Sequence, residues 1–150
     1  MNEDFITDFR ETILQAYSEM QRISDNIASN KKDATQWSIK EVIGHLIDSA
    51  SNNHQRFIRL QIDEEIRLPF YQQVDFVRIS NYQSEDWVIL LDFWKFYNLH
   101  LVHIVGNIDE QKLENVWITP KGEKLDLKFV VEDYLIHLKH HLSQIKNRLV

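Results

Sequence analysis

The chain has 150 residues, of which 43% are hydrophobic, and a formal net charge of −6 with histidine counted as neutral. This length suits a single domain over residues 1–150, and the negative charge argues against nucleic-acid binding, which needs clustered Lys and Arg. Because cysteine is absent, disulfides, iron–sulfur clusters and a cysteine nucleophile are excluded, and metal ligands would have to be His, Asp or Glu.

The N-terminal sequence, MNEDFITDFR, is acidic and lacks both the basic segment and the apolar core of a signal peptide. The most apolar stretch, WVILLDFW, is interrupted by Asp92 well short of the length that spans a membrane. We therefore expect a soluble cytoplasmic protein that binds no membrane.

Helix should dominate the structure, because the chain contains only three glycines and two prolines. Apolar residues at the start of the chain recur at spacings of three, four and seven residues, which predicts one amphipathic helix from Asp4 to Ala28. This helix would pack its apolar face on the rest of the domain.

A second helix is predicted from Ser38 to Ile62, with the sharpest start signal in the chain. Ser38 and Glu41 have the spacing of a capping box, in which each side chain binds a backbone N–H of the other residue. Trp37 and Val42 flank this start with the spacing of a hydrophobic staple.

Residues 63–83 lose the regular pattern, which predicts a long connection with at most a short helical turn. A third helix is then predicted to start at Ser84, because acidic residues occupy its first turn, and to stop at Gly106 and Asn107.

The segments VWIT and KLDL flank a turn sequence at residues 120–123, which predicts a small β-hairpin. Asp126 would follow it as the cap of a fourth helix that extends to about Leu149. Four long helices in a chain of this size predict an all-α four-helix bundle, with a long connection between helices 2 and 3 and a hairpin before helix 4.

The fourth predicted helix carries half of a possible metal site. His137 and His141 are one helical turn apart, so their imidazoles can converge on one cation such as zinc. Gln144 follows three residues later on the same side, whereas His140 lies nearly opposite the apolar stripe and is predicted to be a surface residue. The pair needs at least one further ligand.

Polar residues on the second predicted helix all fall within about 60° of the direction of His45 around the helix axis. They are His45, Asp48, Ser49, Asn52, Arg56 and Arg59. Two interpretations remain open. The stripe could be an ordinary solvated face, because the apolar residues of this helix centre roughly 120° away, or it could supply the missing ligand.

Two motif-like segments stand far apart in the sequence. The first is Trp37-Ser38-x-x-Glu41-x-x-Gly44-His45-Leu46-x-Asp48-Ser49, and the second is His137-x-x-x-His141-x-x-Gln144-Ile145. Together they resemble the DinB-like superfamily, and residues 52–60 resemble its YfiT branch. Only these segments are motif-like, although the likeness extends over essentially the whole chain.

The resemblance implies a four-helix bundle whose second helix supplies one metal ligand and whose last helix supplies two. Carried over to this chain, the ligands of a divalent metal, most often zinc or nickel, are His45, His137 and His141. Three imidazoles leave one position open, as in catalytic rather than structural zinc sites. Since members of the superfamily often form dimers, the resemblance also implies a homodimer.

Further residues are candidates for the same site. Asp48 and Gln144 could orient an imidazole or a metal-bound water, or they could face solvent. Asn52 and Arg56 could bind a carboxylate of the substrate, or they could make ordinary surface contacts. Trp117, on the predicted hairpin, could also reach the site.

Relatives that this chain resembles include bacillithiol-dependent S-transferases and mycothiol-dependent isomerases. The first hypothesis is accordingly a bacillithiol-type S-transferase, in which the metal favours the thiolate of a small-molecule thiol that attacks an electrophilic substrate. The alternatives are a metal-dependent hydrolase that uses metal-bound water and a non-catalytic metal-binding bundle. Ferritin-type di-iron chemistry is disfavoured, because no Glu-x-x-His motif occurs.

Overall fold

Four long helices form the framework of the computed structural model, which describes residues 1–149. The helices are α1 (Glu3–Met20), α2 (Asp25–Ser29), α3 (Ile39–Ile62), α4 (Gln73–Ser80), α5 (Trp87–Gly106) and α6 (Leu127–Leu149), and the strands are β1 (Glu65–Arg67), β2 (Val116–Ile118) and β3 (Lys124–Asp126). Helix α3 packs on both α5 and α6, and α1 packs mainly on α5. The predicted four-helix bundle is confirmed.

The starts of α3 and α6 agree with the predicted caps. At α3, the Ser38 hydroxyl accepts from the Glu41 N–H (3.2 Å), and the Glu41 carboxylate accepts from the Ser38 N–H (2.8 Å). At α6, the Asp126 carboxylate accepts from the Phe129 N–H (2.7 Å). These bonds satisfy backbone donors that have no partner within the helix, which is why the two boundaries could be predicted.

The first predicted helix, Asp4 to Ala28, is wrong in being continuous, because the structure interrupts it at residues 21–24. Helix α1 ends at Met20, and a new short helix, α2, starts after Ser24. The Ser24 hydroxyl accepts from the Ile27 N–H (3.3 Å), so it acts as a cap rather than as an interior helix residue. The spacing of seven residues from Met20 to Ile27 continued the apolar period across the break, although Ile27 is 50% exposed and Ala28 is the buried residue of α2.

The predicted start of the third helix is also displaced. Ser84 lies in a short 3₁₀ helix, Tyr82–Ser84, and the true N-cap of α5 is Asp86. The Asp86 carboxylate accepts from the Ile89 N–H (3.0 Å). The predicted stop is confirmed, because α5 ends at Gly106 with Asn107 as its C-cap.

A small three-stranded sheet lies beside the bundle. Strands β2 and β3 pair in antiparallel fashion, with Val116 opposite Asp126, which confirms the predicted hairpin. Strand β1 was not predicted and pairs in parallel with β2, with Glu65 opposite Val116. Together with α4 it gives the connection of residues 63–83 more regular structure than the predicted short helical turn.

Helix α5 is long and apolar enough to cross a membrane by length and composition alone. Its core residues Leu90, Trp94 and Leu101 are fully buried, and the helix contacts α1 and α3 along the bundle. A core helix of a helical bundle can have this length and composition, so these two properties do not by themselves indicate a membrane span.

Candidate metal centre

Three histidines from two helices converge on one point. His45 lies on α3, and His137 and His141 lie one turn apart on α6. The His137 Nε2 atom is 3.2 Å from the His45 Nε2 and 3.1 Å from the His141 Nε2. The three residues each offer a ligand atom within 4.8 Å of the other two. The packing of α3 on α6 therefore assembles the triad that the sequence resemblance implies.

The spacing of these nitrogens fits a shared cation. Two ligands bound to zinc at 2.0–2.1 Å in tetrahedral geometry lie about 3.3 Å apart, close to the observed separations. Hydrogen bonding alone does not account for the cluster, because the His137 Nε2 can either accept one N–H or donate one. Three imidazole nitrogens are a donor set suited to zinc, nickel and other divalent transition metals.

Burial keeps the triad in the neutral form that binds metals. His45 is only 1% exposed, and burial lowers the pKa of its imidazole from 6.5 to about 3, with the neighbouring His141 and His137 adding to the shift. Burial also lowers the pKa of His137 to about 4 and the pKa of His141 below its ordinary value. At neutral pH no proton competes with a cation at these nitrogens.

Gln144 orients one imidazole of the triad. Its Oε1 lies 3.0 Å from the His141 Nδ1, and its Nε2 lies 2.9 Å from the His140 Nε2. When the His141 Nδ1–H donates to Gln144, the lone pair of the Nε2 remains directed at the other imidazoles. The amide N–H of Gln144 can then donate to His140, which is exposed as predicted.

Asp48 orients no imidazole through a hydrogen bond. Its Oδ1 accepts from the Tyr82 hydroxyl (2.7 Å), and its Oδ2 is buried without a partner among residues 1–149. Burial raises the pKa of the Asp48 carboxyl, and the bond from Tyr82 opposes that shift. The Nδ1 of His45 is likewise buried without a partner among the described residues.

Gly44 allows Tyr82 to reach Asp48. The tyrosine ring lies so close to α3 that a Cβ on Gly44 would be 2.1 Å from its Cδ2 atom. No other residue type fits at this position without displacing the ring. The glycine next to His45 in the first sequence motif therefore has a packing role.

The solvated-face interpretation of the α3 polar stripe is wrong for most of its residues. Four residues are buried: His45, Asp48, Ser49 and Arg56. Among the ionisable residues of the stripe, only Arg59 is exposed. Helix α6 and the connection between α3 and α5 cover this face. Periodicity could not reveal this, because it records which residues are polar and not what lies opposite them.

A pocket of about 330 Å³ lies beside the triad, lined by His137, Arg56 and Trp117 among others. Asn52 is not a lining residue, because its amide donates to the Asp48 carbonyl of its own helix (2.9 Å). The neighbouring Asn53 lines the pocket instead. Of the two residues predicted to bind the substrate, Arg56 lines the pocket and Asn52 does not.

Several lining residues were not singled out from the sequence. Tyr71 lies in the irregular connection, where no periodicity indicates a direction, and Phe129 resembles any apolar helix residue. Asp133 could have been recognised, because it precedes His137 by one helical turn. A second, more open pocket of about 580 Å³ is lined by Trp37 and Gln144, and the Trp37 ring centroid is 5.1 Å from that of His45.

Comparisons with known proteins agree with this architecture. A curated relative from Bacillus licheniformis, named a "putative metal-dependent hydrolase", is 22% identical over 111 residues, which are 73% of this chain and 63% of the relative. The chain thus spans less than two thirds of that protein.

Two solved structures share the fold. YfiT from Bacillus subtilis, described as a probable metal-dependent hydrolase with an unusual four-helix bundle topology, matches with a TM-score of 0.86 and 16% identity over 99% of this chain and 87% of YfiT. A mycothiol-dependent maleylpyruvate isomerase matches with a TM-score of 0.77 and 10% identity over 94% of this chain and 59% of the isomerase. The family model of the DinB superfamily matches residues 8–145, and the chain therefore belongs to that superfamily.

Proposed function

We propose that the protein is a metal-dependent enzyme that uses a small-molecule thiol, as a bacillithiol-type S-transferase does. His45, His137 and His141 would hold the divalent metal, with zinc or nickel the best matches to three imidazoles. The observation that carries the proposal is the convergence of three neutral imidazoles beside two pockets. When bound, the metal would favour the thiolate over the thiol and so supply the nucleophile.

The residues around the triad would prepare it for this role. Trp37 covers the His45 ring and limits its access to water. Gln144 holds the His141 imidazole in the tautomer that leaves the Nε2 free. A transferase brings two reactants together, and the pockets lined by His137 and by Trp37 offer separate space for each.

The lack of a carboxylate in the triad itself, among residues 1–149, favours thiol chemistry over hydrolysis. Within residues 1–149, no carboxylate oxygen joins the three imidazole nitrogens in their cluster. Hydrolysis would need a general base for the attacking water, and Asp48 is bonded to Tyr82 instead. A thiol is a much stronger acid than water, so a bound cation would suffice to release its proton to solvent without a general base.

A metal-dependent hydrolase is the second candidate, because the relatives from Bacillus licheniformis and Bacillus subtilis are named as such. Asp133 would then be the base to examine, since it lines the pocket of His137 and is solvent-exposed. A hydrolase would remain active in an assay that contains no thiol, whereas a thiol-dependent transferase would be inactive.

The test starts with untagged protein purified without chelator. Elemental analysis should find about one metal per chain in the wild type and in His140→Ala, and little in His137→Ala or His141→Ala. His140 is the matched control, because it lies on the same helix but outside the triad. Equal retention of metal by all three variants would contradict the proposed ligands.

The thiol is tested on protein reconstituted with Co²⁺. Titration with 2-mercaptoethanol should produce the charge-transfer absorption of cobalt–thiolate bonding, and the His137→Ala variant should not. A metal-loaded protein without this absorption, but with esterase activity that Asp133→Asn abolishes, would support the hydrolase instead. Metal binding with neither property would indicate a non-catalytic bundle.

A further inference from the structure

Arg56 is a buried cation without an anionic partner among residues 1–149. Its residue is 7% exposed, and it is absent from the salt bridges formed by the described residues. Only its Nη1 has a hydrogen bond, donated to the Asn53 Oδ1 (3.0 Å), and its Nε is buried without a partner. Burial of an unpaired charge is strongly unfavourable, so folding alone gives no reason for an arginine here.

The guanidinium is held in place by its surroundings. Its Cζ atom lies 4.0 Å from the centre of the Trp117 ring, an arrangement in which the ring face attracts the cation. The Trp117 indole N–H donates to the Leu68 carbonyl (3.0 Å), which fixes the ring in turn. Asn53 and Trp117 therefore preorganise a guanidinium whose Nη2 forms no hydrogen bond with residues 1–149 and is the group that would donate to a ligand.

The pocket that Arg56 lines has the character of a small-molecule site. Its volume of about 330 Å³ is at the lower end of the range for such pockets. Phe70, Phe129 and Trp117 provide apolar and aromatic walls, and burial raises the pKa of the Tyr71 hydroxyl to about 12. Tyr71 therefore remains a neutral hydrogen-bond donor. Because His137 also lines the pocket, a ligand bound to Arg56 would extend toward the triad.

The chemistry of the pocket selects a carboxylate rather than a phosphate. One planar guanidinium matches a carboxylate with two parallel hydrogen bonds. A phosphate dianion would require more cationic groups, and Arg56 is the only Lys or Arg among the described lining residues. Asp133, at the exposed part of the lining, would further disfavour a dianion.

We infer that Arg56 binds the carboxylate of a small reactant whose apolar or aromatic body fills the space between Phe70 and Phe129. The inference rests on the proposed function, because the triad defines where the other end of that reactant would react. The inference adds two points to the proposed function. The substrate class is a small monocarboxylate, and Arg56 is a residue that determines specificity. The carboxylate could belong to the electrophile or to the thiol, and the experiment separates the two.

The test uses metal-free protein, so that its result is independent of the metal site. Phenylacetate and hexanoate are titrated while the Trp117 indole signal, assigned with Trp117→Phe, is followed by NMR. The matched neutral ligands are phenylacetamide and hexanamide. Saturable shifts are expected for the acids, with affinity at least about tenfold higher than for the amides, which corresponds to one lost charge-assisted interaction.

Arg56→Gln should abolish this preference for the acids, and Arg59→Gln should preserve it. Arg59 is the control because it is an exposed arginine of the same helix. Arg56→Lys keeps the charge without the planar fork and should weaken the binding of the acids alone. Circular dichroism of each variant verifies that it is folded.

Three results would overturn the inference: no saturable binding of either acid, equal binding of acids and amides, or unchanged acid binding in both Arg56 variants. Displacement of phenylacetate by an equal concentration of inorganic phosphate would overturn the carboxylate assignment. In Co²⁺-loaded protein, competition between phenylacetate and N-acetylcysteine, but not N-acetylcysteamine, would assign the carboxylate to the thiol. Simultaneous binding of phenylacetate and N-acetylcysteamine, without competition from N-acetylcysteine, would assign it to the electrophile.

Discussion

Replacement of Gly44 by alanine should destabilise the protein through a clash with Tyr82. A Cβ at this position would lie 2.1, 2.2 and 2.6 Å from three atoms of the tyrosine ring, whereas ordinary contacts start at 3.4 Å. The ring would have to move by 3.4 − 2.1, or about 1.3 Å. Tyr82 is 9% exposed and has little free space around it.

The magnitude follows from three contributions. Overpacking costs about 1–3 kcal/mol. Movement of the ring breaks the hydrogen bond to the Asp48 Oδ1 and leaves a buried acceptor unpaired, which costs about 1–3 kcal/mol more. Alanine returns about 1 kcal/mol through its higher helix propensity. The sum is a loss of about 3 kcal/mol in the free energy of unfolding, or about 6–12 °C in Tm for a domain of this size.

The assay is urea and thermal unfolding of the metal-free protein, followed by circular dichroism. Gly106→Ala is the matched control, because the nearest atom to its new Cβ is the Ile6 Cδ1 at 3.9 Å. That variant should be as stable as the wild type or slightly more stable. Equal Tm values for the two alanine variants would refute the argument. Zinc affinity should also fall in Gly44→Ala, since His45 is the next residue.

Two further predictions concern the triad. Gln144→Leu should lower zinc affinity by about 10–100-fold, because the His141 imidazole loses the acceptor that fixes its tautomer. Competition with a chromophoric chelator measures the affinity, and an unchanged value would show that Gln144 has no orienting role. Metal-free protein should lose stability as the pH falls from 7 to 5. Between about pH 3 and 6.5 the His45 imidazole is protonated in the unfolded chain but neutral in the folded chain, because its pKa is lowered from 6.5 to about 3. The free energy of unfolding therefore decreases as the pH is lowered through this window. At pH 5 the loss from His45 alone is about 2 kcal/mol. Urea unfolding at pH 5, 6 and 7 measures the slope, which should be smaller in His45→Gln.

Helix boundaries show how far local signals reach. The caps at Ser38 and Asp126 were predictable, because a side chain within three residues satisfies each free N–H group. The break at Ser24 was missed although it uses the same chemistry, since the apolar period continued across it. Strand β1 was missed because its three residues pair with a strand about fifty positions away, and no local pattern encodes that partner.

The sequence alone predicted the four-helix bundle, because caps and helical periodicity depend on residues close together in the chain. Its resemblance to the DinB-like superfamily implied the family and the three candidate ligands, His45, His137 and His141. Only the tertiary structure decided that the α3 stripe is buried, that Gln144 and not Asp48 contacts an imidazole of the triad, and that Arg56 stands unpaired against Trp117. Burial and charge pairing depend on which distant segments pack together. A local sequence pattern contains no information about what covers a helix face.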